Sequence, residues 1–288
     1  LSITPKTAAQ MGLNTAEGSA LSAIYTNAKT DSEVQGVLLA PTDKTNFLKV
    51  YDQMLPDSSG GVFDFSQQTS EAISRATAQA DDIEAAGGTR EVWAQEFFIG
   101  ARRDRNAKNV GYDTTGFGMV AGAATGGHGF GVVGATAAFA SGTITSAFLP
   151  GDTRTAISSM EGGLYWQGQY GALRADARVG AGFSIFEAKR QLFLTDSSGN
   201  VQVNRLVKDD RTAWSATGHA GLAYQQSLGR GFYLRPYAHG DYFSQDEQGY
   251  VENDPSGKTG FALNVKSRSG SAFSGAAGVA FGGVFGTD

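Results

Sequence analysis

The residue types that most often carry out chemistry are scarce in this chain. It contains no cysteine and only three histidines, His128, His219 and His239. The lack of cysteine excludes a thiolate nucleophile, a thiolate metal site and a redox centre. The histidines lack neighbouring carboxylates at ligand spacing, which favours one turn residue and two strand residues over a metal site. Because neither a GxSxG nor an HExxH motif occurs, we predict no enzyme activity and no metal.

One glycine motif has the spacing of a cofactor site. The segment Gly129-Phe130-Gly131-Val132-Val133-Gly134 fits the dinucleotide pattern GxGxxG, and Asp152 follows at a tolerable distance. In a dinucleotide site a helix must begin at the motif, so that its N-terminus meets the pyrophosphate. Residues 135–144 instead continue in strand-like alternation. We therefore predict no cofactor.

The composition favours extended structure. The chain has 288 residues, with 40 glycines, 6 prolines, 41% hydrophobic and 18% charged residues, which excludes a disordered or collagen-like chain. A formal charge of −5 argues against nucleic acid as a partner, since such a protein needs a basic face. The chain begins with Leu1 and shows no signal peptide, so we expect a piece of a longer precursor.

Charge and glycine content divide the chain near residues 87–89. Residues 1–90 hold 6 basic and 11 acidic residues, whereas residues 91–288 hold 17 of each. Before the boundary the apolar spacing is helical. Residues 62–84 contain no glycine or proline, and as a helix they would form a polar rod of roughly 35 Å, about the span of a bilayer. Such a helix needs either bulk solvent or the lumen of a pore, and composition alone favours solvent.

After the boundary the apolar residues recur at every second position. In residues 174–185 the positions of Arg174, Asp176 and Arg178 alternate with apolar positions that include Val179 and Phe183. Residues 214–225 and 232–242 repeat the pattern. These runs of ten or more residues are longer than the usual strands of soluble proteins, about five to six residues.

Such strands suit a soluble sandwich or a membrane barrel. Short links alternate with long ones at residues 103–113, 148–155, 195–211 and 253–260, and aromatic residues crowd the strand ends, as in an up-and-down membrane barrel. No stretch of eighteen apolar residues exists, so insertion requires a closed barrel. We predict a mainly β, antiparallel up-and-down outer-membrane β-barrel. Its eight strands begin near Glu91, Thr115, Phe130, Ser158, Leu173, Ala213, Phe232 and Phe261.

A polar rod followed by a barrel resembles the C-terminal translocator domain of autotransporters, the outer-membrane proteins of type V secretion in Gram-negative bacteria. The resemblance lies in residues 51–63 ahead of the rod, in Val92-Trp93-Ala94-Gln95, in Gly111-Tyr112-Asp113 with Gly116-Phe117, and in Arg235-Pro236-Tyr237-Ala238. It covers nearly the whole chain. Family barrels have twelve strands and end on an aromatic residue, so the resemblance implies that this chain is incomplete at its C-terminus, with about eight of the twelve strands.

The resemblance implies three parts: a helical linker at the passenger junction (residues 1–61), a pore-plugging helix (62–88) and the β-barrel translocator domain (89–288). The expected partners are the chain's own upstream passenger domain, outer-membrane lipid and the barrel assembly machinery, and the expected location is the bacterial outer membrane. The candidate pore-lumen residues are Arg174, Asp176, Arg178, Arg235, His239 and Asp241. The candidate plug residues that they would hold are Glu71, Arg75, Asp81 and Asp82.

Some members of the family cleave themselves in the plug by cyclisation of an asparagine. Residues 47–105 contain no asparagine, so we predict no cleavage by that route. Two alternatives stay open at the level of sequence. One is a soluble all-β binding module whose apolar faces form a sandwich core, and the other is a passive outer-membrane channel.

Overall fold

The helices precede the strands. The structure is a computed structural model that describes residues 6–57, 59–79, 90–104, 111–127, 130–146, 153–196, 198–229, 231–255 and 261–283. Its helices are α1 (Ala8–Met11), α2 (Thr15–Ala28), α3 (Ser32–Leu39), α4 (Lys44–Tyr51), a 3-10 turn (Asp52–Met54) and α5 (Gly61–Gln79). The side chains of Thr7, Asn14, Asp31 and Asp43 each accept a backbone hydrogen bond from the first turn, and these N-caps determine where α1 to α4 begin.

Eight long strands form one antiparallel sheet. They are β1 (Arg90–Arg103), β2 (Tyr112–Gly127), β3 (Gly131–Ser146), β4 (Arg154–Tyr170), β5 (Leu173–Thr195), β6 (Val201–Tyr224), β8 (Phe232–Glu247) and β11 (Arg268–Gly283). Short strand β7 (Gln226–Gly229) pairs with β8, and β9 (Tyr250–Val251) pairs with β10 (Asn264–Val265). The long strands are ordered as in the sequence, which confirms the predicted antiparallel up-and-down architecture.

The sheet curls around α5, which contacts β1, β2, β3, β4 and β8. We call the side that faces α5 the concave face and the other side the convex face. Large apolar residues such as Val179 and Phe98 are exposed on the convex face, at 62% and 82%. Their neighbour Arg178 is 2% exposed on the concave face. The alternation predicted for residues 174–185 is confirmed, with its apolar side outwards.

Two sequence-based boundaries are wrong. Residues 195–211 were expected to be a long loop, yet β5 runs to Thr195 and β6 begins at Val201. The eighth long strand begins at Arg268 and not near Phe261, because Phe261 is buried in another apolar core. The predicted helix over residues 62–84 is observed as α5 to Gln79, and residues 80–89 lie outside the described residues.

A second apolar core joins the first helices to the far end of the β5–β6 hairpin. We call α1 to α4 with the 3-10 turn, residues 8–54, the helical module, and residues 190–195 and 201–207 the hairpin tip. The buried residues shared between them are Ile24, Ala28, Val34, Val37, Leu38, Val50, Tyr51, Met54, Leu192, Leu194, Val203 and Val207. None of the described helices is both long and apolar enough to cross a membrane.

Candidate functional site

The candidate site is the concave face together with α5. Most of the buried surface of α5 is small or polar, and it consists of Gly61, Val62, Phe65, Ser66, Thr69, Ser70, Ala72, Ile73, Ser74, Ala76 and Thr77. The hydroxyl of Thr69 donates to the carbonyl of Phe65 at 2.9 Å, and that of Thr77 to the carbonyl of Ile73 at 2.8 Å. These hydroxyls are satisfied within the helix, so they need no partner from the concave face of the sheet, the wall around α5.

One aromatic side chain of α5 is seated on glycines of the wall. A Cβ atom at Gly116 would lie 2.5 Å from the ring of Phe65, and one at Gly142 would lie 2.4 Å from it. The two glycines are directly opposite each other on β2 and β3. Any larger residue at these positions would push the ring, and with it the helix, away from the sheet.

Hydrogen bonds attach α5 to the wall along its length. Asp64 accepts a hydrogen bond from the Tyr112 hydroxyl and forms an ion pair of 2.9 Å with Arg103. At the other end of the helix, Gln167 Nε2 donates to the carbonyl of Thr77 at 2.6 Å. Because Tyr112 begins β2 and Gln167 lies near the tight turn after Tyr170, α5 runs from the long-link end of the sheet to its tight-turn end.

Sequence reasoning missed these contacts. Tyr112 opens a strand directly after a long link, but its place in the sequence does not identify Asp64 as its partner. Gln167 and Ser274 lie in strands rich in glycine and alanine, where one amide or hydroxyl does not stand out. Ser274 donates to Glu71 Oε1 at 2.9 Å.

The predicted lumen residues lie on the concave face, where most pair within the wall. Arg178 is bound to Glu161 of β4 at 2.5 Å, and both side chains are almost fully buried. Arg235 donates to Gln225 Oε1 and lies over the ring of Tyr233. Arg174 is half-buried at the start of β5.

The other three predicted lumen residues cluster around His219. Its two ring nitrogens lie 2.7 Å from carboxylate oxygens of Asp176 on β5 and Asp241 on β8. His239 is 3.9 Å from Asp241. The cluster ties three neighbouring strands together across the concave face. Within the described residues, no group of side chains has a ligand set suited to a metal ion.

The predicted plug residues are partly described. Half-buried Glu71 and exposed Arg75 form an ion pair of 3.8 Å within α5, and Gln67 donates a hydrogen bond to Glu71. Among the described residues, Glu71 contacts α5 itself and Ser274, and Arg75 contacts Glu71. Asp81 and Asp82 lie outside the described residues.

A buried arginine joins three elements at the long-link end. Arg190 of β5 binds the carboxylate of Glu252 with two of its nitrogens. It also donates to the carbonyl of Gln53 in the helical module at 2.7 Å and to that of Phe261 at 2.8 Å. Bidentate guanidinium–carboxylate pairing fixes geometry as well as charge, so this residue sets how the module sits on the hairpin.

A second arginine clamps the helical module to the hairpin tip. Arg205 of β6 donates to Asp31 and, at 3.0 Å, to Glu33. The hydrogen bond from Arg205 lowers the pKa of the Asp31 carboxyl below its usual range, and the same bond raises the pKa of Arg205. Burial raises the pKa of Tyr51, whose hydroxyl donates to the carbonyl of Glu17.

The clamp makes docking of the helical module sensitive to acid. The pKa of Asp31 is lower in the folded state, so its contribution is present above the unfolded value of about 3.9 and is lost as the pH falls through the folded pKa. We expect Asp31→Asn to weaken docking by about 1–3 kcal/mol at pH 7, because a charge-assisted hydrogen bond is lost while the N-cap is kept. The weakening of docking is measured by hydrogen exchange of the backbone amides of residues 8–54.

Asp43→Asn is the matched control, since Asp43 caps α4 in the same way but is exposed and has no arginine partner among its contacts. Equal acceleration of exchange in the two variants would show that the Arg205 clamp does not hold the module.

Comparison with known proteins identifies the family. The sequence model of the autotransporter beta-domain family matches residues 92–288. The chain belongs to the autotransporter beta-domain family. The fold is similar to that of the translocator domain of autotransporter NalP from Neisseria meningitidis, with a TM-score of 0.59 and 13% sequence identity over 78% of this chain and 71% of that one. A comparison with curated protein sequences gives no match.

Membership confirms the main sequence-based expectations. This autotransporter chain is an outer-membrane translocator for a linked passenger domain, and it resides in the bacterial outer membrane. In an outer-membrane barrel the apolar outer surface faces lipid, and the convex face, with its exposed apolar residues, has the composition of such a surface. The family is one of transport domains and not of catalytic ones.

Proposed function

We propose that α5 is the segment retained in the pore after transport, and that the helical module is the junction from which the passenger continues outside the cell. The observation that carries this proposal is the position of a polar helix on the concave side of a sheet whose convex side is apolar. The many serine and threonine residues on the buried face of α5, beside a smaller number of apolar ones, suit an interior that offers polar as well as apolar contacts.

The direction of α5 supports the route. Its N-terminal end is held at the long-link end by Asp64, and its C-terminal end is held near the tight turns by Gln167. In outer-membrane barrels the long links face the outside and the tight turns face the periplasm. The chain before α5 therefore lies outside, where the helical module is docked on the hairpin tip.

The wall charges support a polar lumen. We propose that Arg174, Asp176, Arg178, Arg235, His239 and Asp241 line the pore and hold the curvature of the wall by pairing across strands, as Arg178 does with Glu161. The protein would do no catalysis, and it would insert with the help of outer-membrane lipid and the barrel assembly machinery. The three parts of the chain would be the junction (residues 1–61), the plug (62–88) and the barrel (89–288).

Single cysteines test the route, because the chain has none of its own. In intact cells we expect a membrane-impermeant maleimide to label Lys29→Cys in the module rapidly. It should label Gln226→Cys, at the tight-turn end, only after the outer membrane is permeabilised. Gln68→Cys on α5 should react slowly, because the pore is filled.

Both Lys29 and Gln226 are exposed, so the contrast between them reports the side of the membrane and not burial. Labelling of Gln226→Cys before permeabilisation would reverse the proposed orientation. Fast labelling of Gln68→Cys would show that α5 leaves the pore.

A further inference from the structure

The helical module comes before α5 in the chain, so a load applied from the N-terminal side reaches the module first. The module is formed by residues 8–54, and α5 begins at Gly61, so residues 55–60 connect the two. The module is docked on the hairpin tip, with which it shares an apolar core. A pull from the N-terminal side is therefore transmitted to β5 and β6 before it is transmitted to α5.

The end of the module nearest to α5 is fixed to β5 through one residue. The carbonyl of Gln53 accepts a hydrogen bond from Arg190 at 2.7 Å, and its side-chain oxygen accepts one from the backbone N–H of Phe193 at 2.8 Å. Arg190 is itself held by the carboxylate of Glu252. The chain is therefore fastened to the hairpin just before α5 begins.

The middle of the module is fixed to the other strand of the hairpin. Arg205 of β6 donates to Asp31 and Glu33 at the start of α3. The strands β5 and β6 pair with each other from the tip down to Leu173, deep in the sheet. A load on the tip therefore passes into the sheet and bypasses α5.

The module depends on the tip for its folded state. Helices α3 and α4 have eight residues each, whereas isolated helices shorter than about 12–15 residues are marginal in water. The large apolar side chains of these helices are buried in the core shared with the hairpin. We expect the helices to unfold when the module leaves the tip, which would release residues 8–54 as roughly 160 Å of extended chain.

We propose that the helical module docked on the hairpin tip is the mechanical anchor of the passenger. The Arg190 and Arg205 contacts carry a pull on the passenger into the β5–β6 hairpin. When they yield, the module unfolds and lengthens the connection before any force reaches α5. This inference rests on the proposed function in one respect, that the passenger continues from the module.

Force spectroscopy on single molecules of the full chain in a lipid bilayer tests the proposal. The chain is pulled through a single cysteine, Lys6→Cys, which lies just before the module. We expect unfolding of the module to lengthen the chain by roughly 160 Å before α5 leaves the sheet. Arg205→Gln should shorten the lifetime of the docked module at constant force by about ten-fold, because two hydrogen bonds to charged groups are lost. Asp31→Asn keeps the N-cap and should act in the same direction.

Two control variants separate the module from α5. Gln167→Leu removes the hydrogen bond to the carbonyl of Thr77, so it should shorten only the lifetime of α5 on the sheet. Lys29→Gln removes a positive charge from an exposed position of the module and should change neither lifetime.

The proposal fails if α5 leaves the sheet before the module unfolds, if Arg205→Gln leaves the lifetime of the docked module unchanged, or if Lys29→Gln shortens it equally. Cysteine labelling without force distinguishes this failure from failure of the proposed function. If Lys29→Cys reacts in intact cells as expected while α5 is the first part to yield, the route stands and the anchor is wrong.

Discussion

Arg178→Met is expected to lower the free energy of unfolding by about 3–5 kcal/mol, because it leaves the buried carboxylate of Glu161 without its cationic partner. The two side chains are 2% and 7% exposed and lie 2.5 Å apart. Arg178 also donates to Thr136 and Thr217 at 3.4 Å, so its loss leaves further polar atoms on the concave wall unpaired. Urea unfolding in lipid vesicles, followed by tryptophan fluorescence, measures the effect.

The double variant Arg178→Met/Glu161→Leu is the control. Replacing both partners of a buried ion pair by apolar residues of similar volume is often neutral. We therefore expect it to be within about 1 kcal/mol of the parent chain. If the double variant were as unstable as Arg178→Met, the apolar replacement itself would disrupt the concave face. The loss of stability in Arg178→Met could then not be attributed to the broken ion pair.

The strand faces could be predicted from the sequence because the membrane and the lumen impose opposite polarity at a period of two. Ala177, Val179 and Phe183 lie on the convex face, and Arg174, Asp176 and Arg178 lie on the concave face, as their alternation predicted. This inference needs only the local pattern, since each residue's face is fixed by its parity.

The hairpin tip could not be predicted from the same pattern, and the reason is physical. Beyond Glu187 the apolar positions of β5 change parity, because Leu192 and Leu194 no longer meet lipid but pack on the helical module. In the sequence the alternation of apolar and polar residues breaks at this point, and such a break is typical of a loop. The partner surface, about 150 residues earlier in the chain, decides which parity is buried.

The pairing of side chains on the concave face could not be predicted from the sequence, for a related reason. The candidate charges were identified, but their partners depend on the register of neighbouring strands. Asp241 is directly opposite His219 on β6. No local feature marks that pairing, and a shift of one residue would place these side chains on opposite faces.

Val179→Arg is expected to destabilise the chain in a bilayer by about 2–4 kcal/mol, because it places a charge near the middle of the lipid-facing surface. Val179 is near the centre of the apolar run of β5, between Leu173 and Ile185, and is 62% exposed. Unfolding in lipid vesicles measures the change. The expected loss of stability is the free-energy cost of bringing the charged side chain of the introduced arginine into hydrocarbon.

Val201→Arg is the matched control, since Val201 is also an exposed valine, at 50%, but begins β6 at the hairpin tip, beyond the apolar band. We expect its stability to change by no more than about 0.5 kcal/mol, as at an ordinary surface position. The contrast separates lipid from water as the medium around the convex face. If both variants lost the same stability, or if neither did, Val179 would not lie in hydrocarbon.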